Sequence, residues 1–595
     1  MTLRRAALAP ALALSCFVLA ACGGGDDEDS GDRGYVDTRG YSAPVVGSKT
    51  FKVKPSLVPD EFATAGAVVI ESYEPTGEIV ADSGFRPQAD GFAFENYGND
   101  EQPTNLTPVS LQNLFGAETV CLGDSTGADC VLTPAAQAWM ENANSAMAGG
   151  HCEGFSMAAL RMYADKLQPE DFGAKRPVAL AIRGNDDLQA SIAEHFMYQA
   201  LPSVLENQVH GTPMEIVDAL REALENGEEQ YTLGIYKPDR TGGHAITPFA
   251  IEDKGDDQYA ILVYDNNFPG ATRAVEVDGK NDSWSYVGGT NPKDLGQVYE
   301  GNADTNTLEL DPLTPGMTTQ PCIFCNAEQA KGAGKGSLLP VGDRYTEITL
   351  QGDADNHPHL VFEDDQGRKT GIIGGEFVDD IPEVEVVSTA AIENWESDPE
   401  PRYRFPEGGE YVVTIDGSDL ERPAETVVNL VGAGLVIEVE DLTIAPGQQD
   451  KMALPEGYGI TYESNSDSEE APNIFAGVVN GDEAYVFAAS AVGIAKGSAI
   501  SLLVVQEENV VILDSTGSSG VRGKKAAYIV NLSKLTDTGD ISTWTKAVRL
   551  DGESGEKVGF EYNETAKAGR PLPLVFVGGD GEPTGKVIVA QPDEQ

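Results

Sequence analysis

The stretch Gly149-Gly150-His151-Cys152-Glu153-Gly154-Phe155-Ser156-Met157 places a cysteine directly ahead of a helical pattern. A second stretch, Gly242-Gly243-His244-Ala245-Ile246, places a histidine at the start of an apolar run that is typical of a strand. A thiol becomes a strong nucleophile when it loses its proton, and both a helix N-terminus and a neighbouring imidazole favour the thiolate. The sequence therefore indicates a fold that brings this cysteine and this histidine to one site.

The residues after His244 predict a β-hairpin, because two apolar segments flank a polar loop. If Lys254-Gly255 forms a two-residue turn, His244 faces Asp265 across the ladder. One extra loop residue makes Asn266 the partner instead. Either side chain can accept a hydrogen bond from the imidazole and fix its tautomer. The predicted triad is therefore Cys152 as nucleophile, His244 as base and Asp265 as orienting group, and Asn266 is the register alternative.

This order of residues resembles that of papain-like cysteine peptidases, especially their bacterial relatives and the transglutaminase-like branch. The matching motifs are Gly-Gly-His-Cys-Glu-Gly around Cys152, Gly-Gly-His-Ala-Ile around His244 and Val-Tyr-Asp-Asn-Asn-Phe-Pro-Gly around Asp265. The resemblance covers roughly residues 115–300, about a third of the chain. It implies an α+β papain-like domain that attacks a peptide or amide carbonyl and passes through an acyl-enzyme.

The oxyanion hole is where the chain departs from this family. Papain-like enzymes carry a glutamine six residues before the cysteine, and this chain has Ala146 at that position. The backbone N–H of Cys152 can serve as one donor, and Asn144 or Gln137 is the candidate for the other. The helix N-terminus favours the thiolate by only about 0.3 to 1 kcal/mol, so we expect His244 to supply most of the activation.

Two other histidines are weaker candidates for the base. His151 adjoins the nucleophile, but adjacent residues of a helix do not face each other. His195 has the apolar neighbours Ile192, Phe196 and Met197, which predict a histidine in or near the core.

The cysteine count also singles out Cys152. Of seven cysteines, two lie in the N-terminal segment and five remain. Cys121 and Cys130 bracket a flexible loop that suits a disulfide, and Cys322 and Cys325 pair most simply with each other. A zinc site shared by these four cysteines is the alternative, which we disfavour because no second C-x-x-C is present. Cys152 is then left over as an unpaired thiol.

The N-terminus predicts export. Arg4 and Arg5 precede an apolar run over residues 6–21, which ends in Leu19-Ala20-Ala21-Cys22. As a helix this run spans about 24 Å, which is short of the bilayer core, so a signal peptide is the better interpretation. The ending resembles a bacterial lipobox, which implies that Cys22 is lipidated. We therefore expect a lipid-anchored protein of the bacterial cell envelope that faces outside the cytoplasm, where disulfides are permitted.

Charge limits the partners. With 96 acidic and 40 basic residues the formal charge is −56, and the pI is about 4.2. Such a chain repels nucleic acid and anionic membrane surfaces, so we expect no nucleic-acid partner and membrane contact only through the lipid anchor. No motif predicts a cofactor.

Helical patterns cluster before the predicted hairpin. One covers residues 135–148 behind the capping signal Thr133-Pro134, and the next begins at Cys152. A third covers residues 186–200. The fourth opens with a capping box at Thr212-Pro213-Met214-Glu215 and stops at Gly227.

After residue 301 the helical pattern nearly vanishes, and short apolar runs alternate with Asp-Gly and Pro-Gly turns. We expect an α+β papain-like domain followed by an all-β, β-sandwich-like C-terminal region, with a break between two β domains near residues 432–434. The predicted divisions are a signal peptide (1–22), an acidic tether (23–35), an N-terminal strand and loop region packing on the catalytic unit (36–115), the thiol-hydrolase domain (116–300), a linker with the C-x-x-C (301–345) and two β-rich domains (346–432 and 433–595).

The segment Asp353-Ala354-Asp355-Asn356-His357-Pro358-His359 contains metal-ligating side chains. Short Asp/His clusters are common in acidic chains, so we interpret it as an exposed polar turn and predict no metal site. The predicted function is a surface-anchored cysteine hydrolase, a peptidase or amidase, acting on an extracytoplasmic peptide or amide. The alternative is a non-catalytic surface lipoprotein with a degenerate site, whose β domains bind a surface protein or glycan.

Overall fold

The computed structural model describes residues 72–595 apart from 228, 239–241, 294, 326–343, 354–355, 388–399, 407–408, 433, 455–457, 467–471, 493–496, 517–524, 564–565, 578–582 and 593–595. The predictions for the signal peptide, Cys22 and the tether lie outside the described residues. Within the described ranges, no helix combines the length and the apolar character that crossing a membrane requires.

The N-terminal part of the described chain holds the α-helices. They are α1 (Pro87–Asp90), α2 (Pro108–Phe115), α3 (Ala117–Val120), α4 (Pro134–Ala146), α5 (Cys152–Tyr163), α6 (Asp186–Phe196), α7 (Pro202–Leu205) and α8 (Pro213–Asn226).

The four predicted helices are confirmed as α4, α5, α6 and α8. α4 starts behind Thr133, whose hydroxyl accepts a hydrogen bond from the N–H of Ala136. α8 has the predicted capping box between Thr212 and Glu215, and it ends at Gly227 in the left-handed conformation. The predicted helix over residues 186–200 is shorter, because α6 is followed by a 3₁₀ turn, Met197–Ala200.

An antiparallel sheet accompanies these helices. Its strands are β1 (Glu78–Asp82), β2 (Val209–His210), β3 (Tyr231–Tyr236), β4 (Gly243–Gly255), β5 (Gln258–Tyr264), β6 (Thr272–Asp278), β7 (Ser283–Gly288), β8 (Gln297–Asn302) and β9 (Leu308–Pro312). The order is β2-β9-β3-β4-β5-β6-β7-β8, and β1 pairs with β4. α5 packs on β4, and the Ser156 hydroxyl donates to the Ala245 carbonyl over 3.0 Å.

β4 and β5 form the predicted hairpin, but the predicted turn and register are wrong. Asp256 and Asp257 form the turn in place of Lys254-Gly255, with φ of 56° and 59°. Short polar side chains tolerate this left-handed region. The ladder ends at the Thr247–Tyr264 pair, so neither predicted partner faces His244 across it.

The range 301–345, predicted as a linker, contains a strand of this sheet. β9 inserts between β2 and β3. Leu308 and Leu310 enter the core that β3, β4 and α8 share, while Glu309 and Asp311 are buried on the opposite face of the strand. The alternation Leu-Glu-Leu-Asp therefore marks a strand, although both of its faces are covered.

Both predicted disulfides are confirmed. Cys121 and Cys130 are bonded with their Cα atoms 5.4 Å apart, and Cys322 and Cys325 are bonded with theirs 5.5 Å apart. Both pairs belong to the core cluster that includes Trp139. Among the described cysteines, Cys152 is the one outside a disulfide.

The C-terminal part of the described chain is built of strands. They are β10 (Tyr345–Gly352), β11 (His359–Glu363), β12 (Lys369–Ile373), β13 (Glu376–Asp379), β14 (Glu385–Val387), β15 (Arg402–Pro406), β16 (Tyr411–Asp416), β17 (Ala424–Gly432), β18 (Leu435–Ile444), β19 (Gln449–Leu454), β20 (Tyr458–Glu463), β21 (Asn473–Asn480), β22 (Glu483–Val492), β23 (Ala499–Val505), β24 (Val510–Asp514), β25 (Lys525–Thr536), β26 (Ile541–Asp551), β27 (Lys557–Glu561), β28 (Leu572–Val577) and β29 (Pro583–Pro592).

These strands form two antiparallel sheets, which we call the two ladders. One ladder runs β14-β15-β10-β17-β18-β21-β22-β25-β26, and the other runs β13-β12-β11-β16-β19-β20-β23-β24-β27-β28. β29 pairs with both β26 and β28. Side chains of both ladders share one core cluster, and we call residues 344–592 the β unit.

The predicted break near residues 432–434 falls between two strands that pair with each other. β17 and β18 pair up to Gly432 and Leu435. Side chains of both strands, such as Leu430 and Ile437, belong to the same core cluster. The described strands therefore continue through this point around one core.

Buried charges lie where the β unit meets the helices. The Glu347 carboxylate of β10 forms ion pairs with Arg402 and Arg404 of β15, each at a distance of 3.1 Å. Arg404 donates to the Ala200 carbonyl over 2.7 Å, and Arg402 donates to the Asn142 carbonyl over 3.4 Å. The three charged side chains are 6% exposed or less, so this contact excludes solvent.

Candidate active site

Cys152 is the first residue of α5, and Gly150 and Gly154 on either side of it allow neighbouring segments to pack closely against the backbone. A Cβ on Gly150 would lie 2.7 Å from the Asn96 amide nitrogen, and a Cβ on Gly154 would collide with the Ile192 carbonyl oxygen on α6. Asn96 also accepts a hydrogen bond from the N–H of His151 over 2.8 Å. The Gly-His-Cys-Glu-Gly pattern therefore reflects close backbone packing around the start of the helix.

His244 is the second residue of β4, and its imidazole contacts Asp265. Nε2 of His244 lies 2.8 Å from Oδ1 of Asp265. Nδ1, the other ring nitrogen, is buried, and no nitrogen or oxygen atom of the described residues hydrogen-bonds to it. A contact with the Cys152 side chain is among those that raise the pKa of His244. His244 thus lies between the thiol and the carboxylate, with one ring nitrogen committed to Asp265.

Electrostatics favour the charged pair. Burial lowers the pKa of His244, but the charge and hydrogen bond of Asp265, together with the contact with Cys152, outweigh burial and raise the pKa to about 10. Burial raises the pKa of Asp265, and the His244 charge and hydrogen bonds outweigh it, so that this pKa lies below its ordinary value. A protonated imidazole beside a thiol stabilises the thiolate.

The Asp265 carboxylate is held by further donors. The Tyr286 hydroxyl on β7 donates to Oδ2. The backbone N–H of Asn267 donates to Oδ1 over 2.8 Å. These bonds fix the carboxylate in the orientation that meets the imidazole, which is the role of an orienting group in a triad.

Asn266, the register alternative, makes different contacts. Its amide nitrogen lies 3.0 Å from the Cys152 carbonyl oxygen, 3.0 Å from the Ala245 carbonyl oxygen and 3.1 Å from the Ser156 hydroxyl. It therefore ties the start of α5 to β4 rather than contacting His244.

Both side chains proposed as oxyanion donors form hydrogen bonds with neighbours in the fold. The Asn144 side chain accepts from the N–H of Leu106 over 2.9 Å and donates to the carbonyl of the same residue over 3.2 Å. Gln137 donates to Glu141 over 2.5 Å. The oxyanion role of Asn144 or Gln137 stays a prediction, because each amide has a second N–H that these bonds do not use. The N-terminus of α5 offers further donors, because His151 places no capping side chain over the first N–H groups.

The two rival histidines hold structural positions. His151 contacts the Tyr97 carbonyl oxygen over 2.7 Å and Asn105 Oδ1 over 2.9 Å, and burial lowers its pKa to about 4. His195 is buried against Arg161 and Tyr198, as its apolar neighbours predicted. Burial, followed by the Arg161 charge, lowers its pKa to about 3.

A group of buried carboxyls beside Cys152 was not foreseen. Glu153 accepts from Thr232 over 2.9 Å, and Glu309 and Asp311 of β9 lie near it. Burial, and then the charge of Asp311, raises the pKa of Glu153 well above its ordinary value. Burial, and then Glu309, does the same for Asp311. The signal was present in the alternating pattern of β9, which we interpreted as a linker.

The site is closed to solvent. Cys152, His244 and Asp265 each have 0% of their surface exposed. The loop between β7 and β8 packs nearby, where the Asn267 amide donates to the Gly289 carbonyl over 2.5 Å and lies 3.4 Å from His244 Nε2. A substrate can reach the thiol only after local rearrangement.

Comparison with known proteins adds no relative. No protein-family model matches this chain, and no curated protein or solved structure matches it. Its function is therefore inferred from the residues of the site.

Proposed function

We propose that this protein is a thiol hydrolase of papain-like type that cleaves an amide through Cys152, His244 and Asp265. The single observation that carries the proposal is the contact chain in which His244 joins Cys152 to a carboxylate 2.8 Å from its Nε2. A nucleophile, a base and a group that orients the base are the three parts that acyl transfer by a side chain requires.

The chemistry proceeds in two halves. In the resting site the proton of the Cys152 thiol resides on Nδ1 of His244, and the thiolate attacks the amide carbonyl carbon. As the tetrahedral intermediate collapses, His244 returns the proton to the departing amine, and the acyl group remains on sulfur. Water then attacks the thioester with His244 as base, which releases the acid and restores the thiol. Asp265 holds the imidazole in place and stabilises its protonated form throughout.

Backbone donors supply the oxyanion hole in this proposal. The first N–H groups of α5 have no intrahelical acceptors, and the helix dipole adds positive potential at that end. An oxyanion that develops beside Cys152 meets these groups without any side-chain amide. The absence of the family glutamine at Ala146 is consistent with such a site.

The second candidate is a non-catalytic surface protein that binds a partner through the β unit. One observation favours it, namely the complete burial of the three triad residues. In that case the charged His244–Asp265 pair serves the stability of the domain, and the β unit binds a surface protein or glycan.

The proposed location is the cell envelope. Its basis is the sequence ending in Leu19-Ala20-Ala21-Cys22 and the two disulfides, which form in oxidising compartments. Metabolic labelling with a radioactive fatty acid tests it. Label on the wild-type protein and none on Cys22→Ser supports the anchor, and equal labelling of both contradicts it.

Trapping the acyl-enzyme tests the proposed chemistry. The purified protein is incubated with an activated acyl ester and analysed by intact-mass and peptide mass spectrometry. We expect one acyl group on Cys152 in the wild type, and none on that peptide in Cys152→Ser or His244→Gln. Acylation of Cys152 at the same rate in His244→Gln, or no acylation in the wild type, contradicts the proposal.

A further inference from the structure

A second group of functional side chains lies in the β unit, far from Cys152 in sequence. His357 and His359 flank Pro358 at the start of β11, and Glu400 lies two residues before β15. β11 pairs with β12 and β16, whereas β15 pairs with β10 and β14. The group therefore joins one end of the first ladder to one end of the second.

The distances within the group match those of a metal site. Nδ1 of His359 lies 2.9 Å from Oε2 of Glu400, and Nε2 of His357 lies 3.8 Å from the same oxygen. One ligating atom from each residue lies within 4.8 Å of the other two. Tetrahedral zinc with bonds of about 2.0 to 2.1 Å separates its ligand atoms by about 3.3 Å, so small side-chain adjustments suffice.

Glu400 is oriented before any ion binds. Its side chain is fully buried. Oε1 accepts hydrogen bonds from the N–H of Leu360 over 2.8 Å and from the Tyr403 hydroxyl over 3.0 Å. Because these donors occupy Oε1, the carboxylate presents Oε2 to both histidines.

The side chain of His357 is also held in position. Nδ1 of His357 lies 3.1 Å from the Asp353 carbonyl oxygen. Metal-binding histidines commonly donate one ring N–H to a backbone carbonyl, which directs the other nitrogen to the ion. The neighbouring Asn356 is buried, and its Oδ1 accepts from the N–H groups of Glu421 and Arg422 over 3.0 and 3.2 Å.

Charge and exposure suit a cation that enters from solvent. Asp416 pairs with His359 across the β11–β16 ladder, and Asp419 adds a second carboxylate whose charge acts on that histidine. The His357 and His359 side chains are 10% and 19% exposed. The cluster therefore has negative potential, one buried carboxylate and an open side for entry.

We propose that His357, His359 and Glu400 bind one divalent transition-metal ion, for which zinc is the best match, with water or an external ligand in the fourth position. Two imidazoles and a carboxylate form one of the recurring ligand sets of zinc sites with an open position. Such an ion cross-links the two ladders of the β unit. The sequence analysis noted His357 and His359 but favoured a polar turn, because Glu400 is 41 residues from His359.

Zinc titration of the purified protein tests this proposal. The background is Cys152→Ser, so that the thiol of the first site does not bind the probe. After treatment with a chelator and gel filtration, the protein is titrated with zinc sulfate by calorimetry, and bound zinc is counted by mass spectrometry. We expect one zinc ion per chain, and an affinity at least about tenfold lower in His357→Gln, His359→Gln and Glu400→Gln.

The control and a second readout keep the test decisive. His210→Gln replaces a histidine whose side chain is 45% exposed and lies 3.9 Å from Glu309, and it should leave zinc binding unchanged. Zinc should also raise the unfolding temperature of the Cys152→Ser protein but not that of the same protein with His357→Gln. We expect this variant to fold, because the His357 side chain is partly exposed. No zinc uptake, which a simple His359–Glu400 ion pair predicts, overturns the proposal. Uptake undiminished in all three variants overturns it as well.

Discussion

His244 and Asp265 contact each other within a fully buried site although they are not partners in a β-ladder. The paired part of β4 and β5 ends at Thr247 and Tyr264, and Asp265 follows that last pair. Tyr286 and the N–H of Asn267 hold the carboxylate from other directions. The contact therefore depends on hydrogen bonds from residues beyond the hairpin. We expect it to weaken at extremes of pH and on substitution of Asp265.

The first prediction concerns stability against pH. The folded pKa of His244 is raised from 6.5 to about 10, so its stabilising contribution is complete below about pH 6.5 and is lost as pH rises towards 10. The folded pKa of Asp265 lies below 3.8, so its contribution is present above that pH and is lost as pH falls through its folded pKa. The difference in unfolding free energy between wild type and Asp265→Asn should therefore be largest between about pH 3.8 and pH 6.5.

Urea unfolding at pH 6, 8 and 9.5 measures this difference. We expect the advantage of the wild type over Asp265→Asn to shrink steadily across the series. His210→Gln, which changes an exposed histidine, should show a constant small difference. An advantage over Asp265→Asn that does not vary between pH 6 and 9.5 would show that the imidazolium–carboxylate pair is absent.

The second prediction separates Asn266 from Asp265. Asn266→Ala removes the hydrogen bonds that the Asn266 amide donates to the Cys152 and Ala245 carbonyl groups, which should lower the unfolding free energy by about 1 to 3 kcal/mol. The pH midpoint of Cys152 alkylation should stay at its wild-type value, because the His244–Asp265 contact is intact. Asp265→Asn should move that midpoint upward. If Asn266→Ala moves it equally, Asn266 acts on the base and our assignment is wrong.

The third prediction concerns the buried charges between the helices and the β unit. Glu347→Ala leaves Arg402 and Arg404 buried without their carboxylate, which should lower the unfolding free energy by about 3 to 5 kcal/mol. Glu363→Ala is the matched control, since Glu363 pairs with Lys369 at the surface, and it should cost about 0 to 1 kcal/mol. Equal costs in denaturant titrations would mean that the Glu347 contact is solvated.

The fourth prediction orders the two disulfides. In the chain-entropy model the Cys121–Cys130 bond, with a sequence separation of 9, contributes about 2 to 3 kcal/mol. The Cys322–Cys325 bond, with a separation of 3, contributes less, about 1 to 2 kcal/mol. Unfolding of the two paired Cys→Ser variants measures both values, and the reverse order would contradict a loop-entropy origin.

The sequence singled out Cys152, His244 and Asp265, which contact one another in the structure, but not how the fold brings them together. Cys152 and His244 are marked by glycine-flanked motifs and by helix and strand signals, which are local properties. Asp265 emerged from a hairpin register that proved wrong. It contacts His244 because its side chain reaches back from beyond the ladder, and no local rule specifies that reach.

Long-range pairing explains the other differences. β9 lies next to β3 in the sheet although more than 70 residues separate the two strands. Because its partner is so distant in sequence, the short segment that contains β9 was interpreted as part of a linker. Asn144 is a plausible oxyanion donor by spacing, yet its amide is paired with the backbone of Leu106. Packing between distant segments also buries Cys152, His244 and Asp265. It likewise brings Glu400 close to His357 and His359.

The pH dependence of Cys152 alkylation by iodoacetamide, measured from pH 4 to 9 beside His244→Gln, tests the central claim most directly. Because the thiol is buried, local opening sets the absolute rate, and the shape of the profile reports the thiolate. We predict a wild-type rate that stays nearly constant well below the ordinary thiol pKa of about 8.5, and a variant that is labelled only near and above that pH. Wild-type labelling that rises only above pH 8, or none without denaturant, would contradict the hydrolase proposal and favour a non-catalytic binding protein.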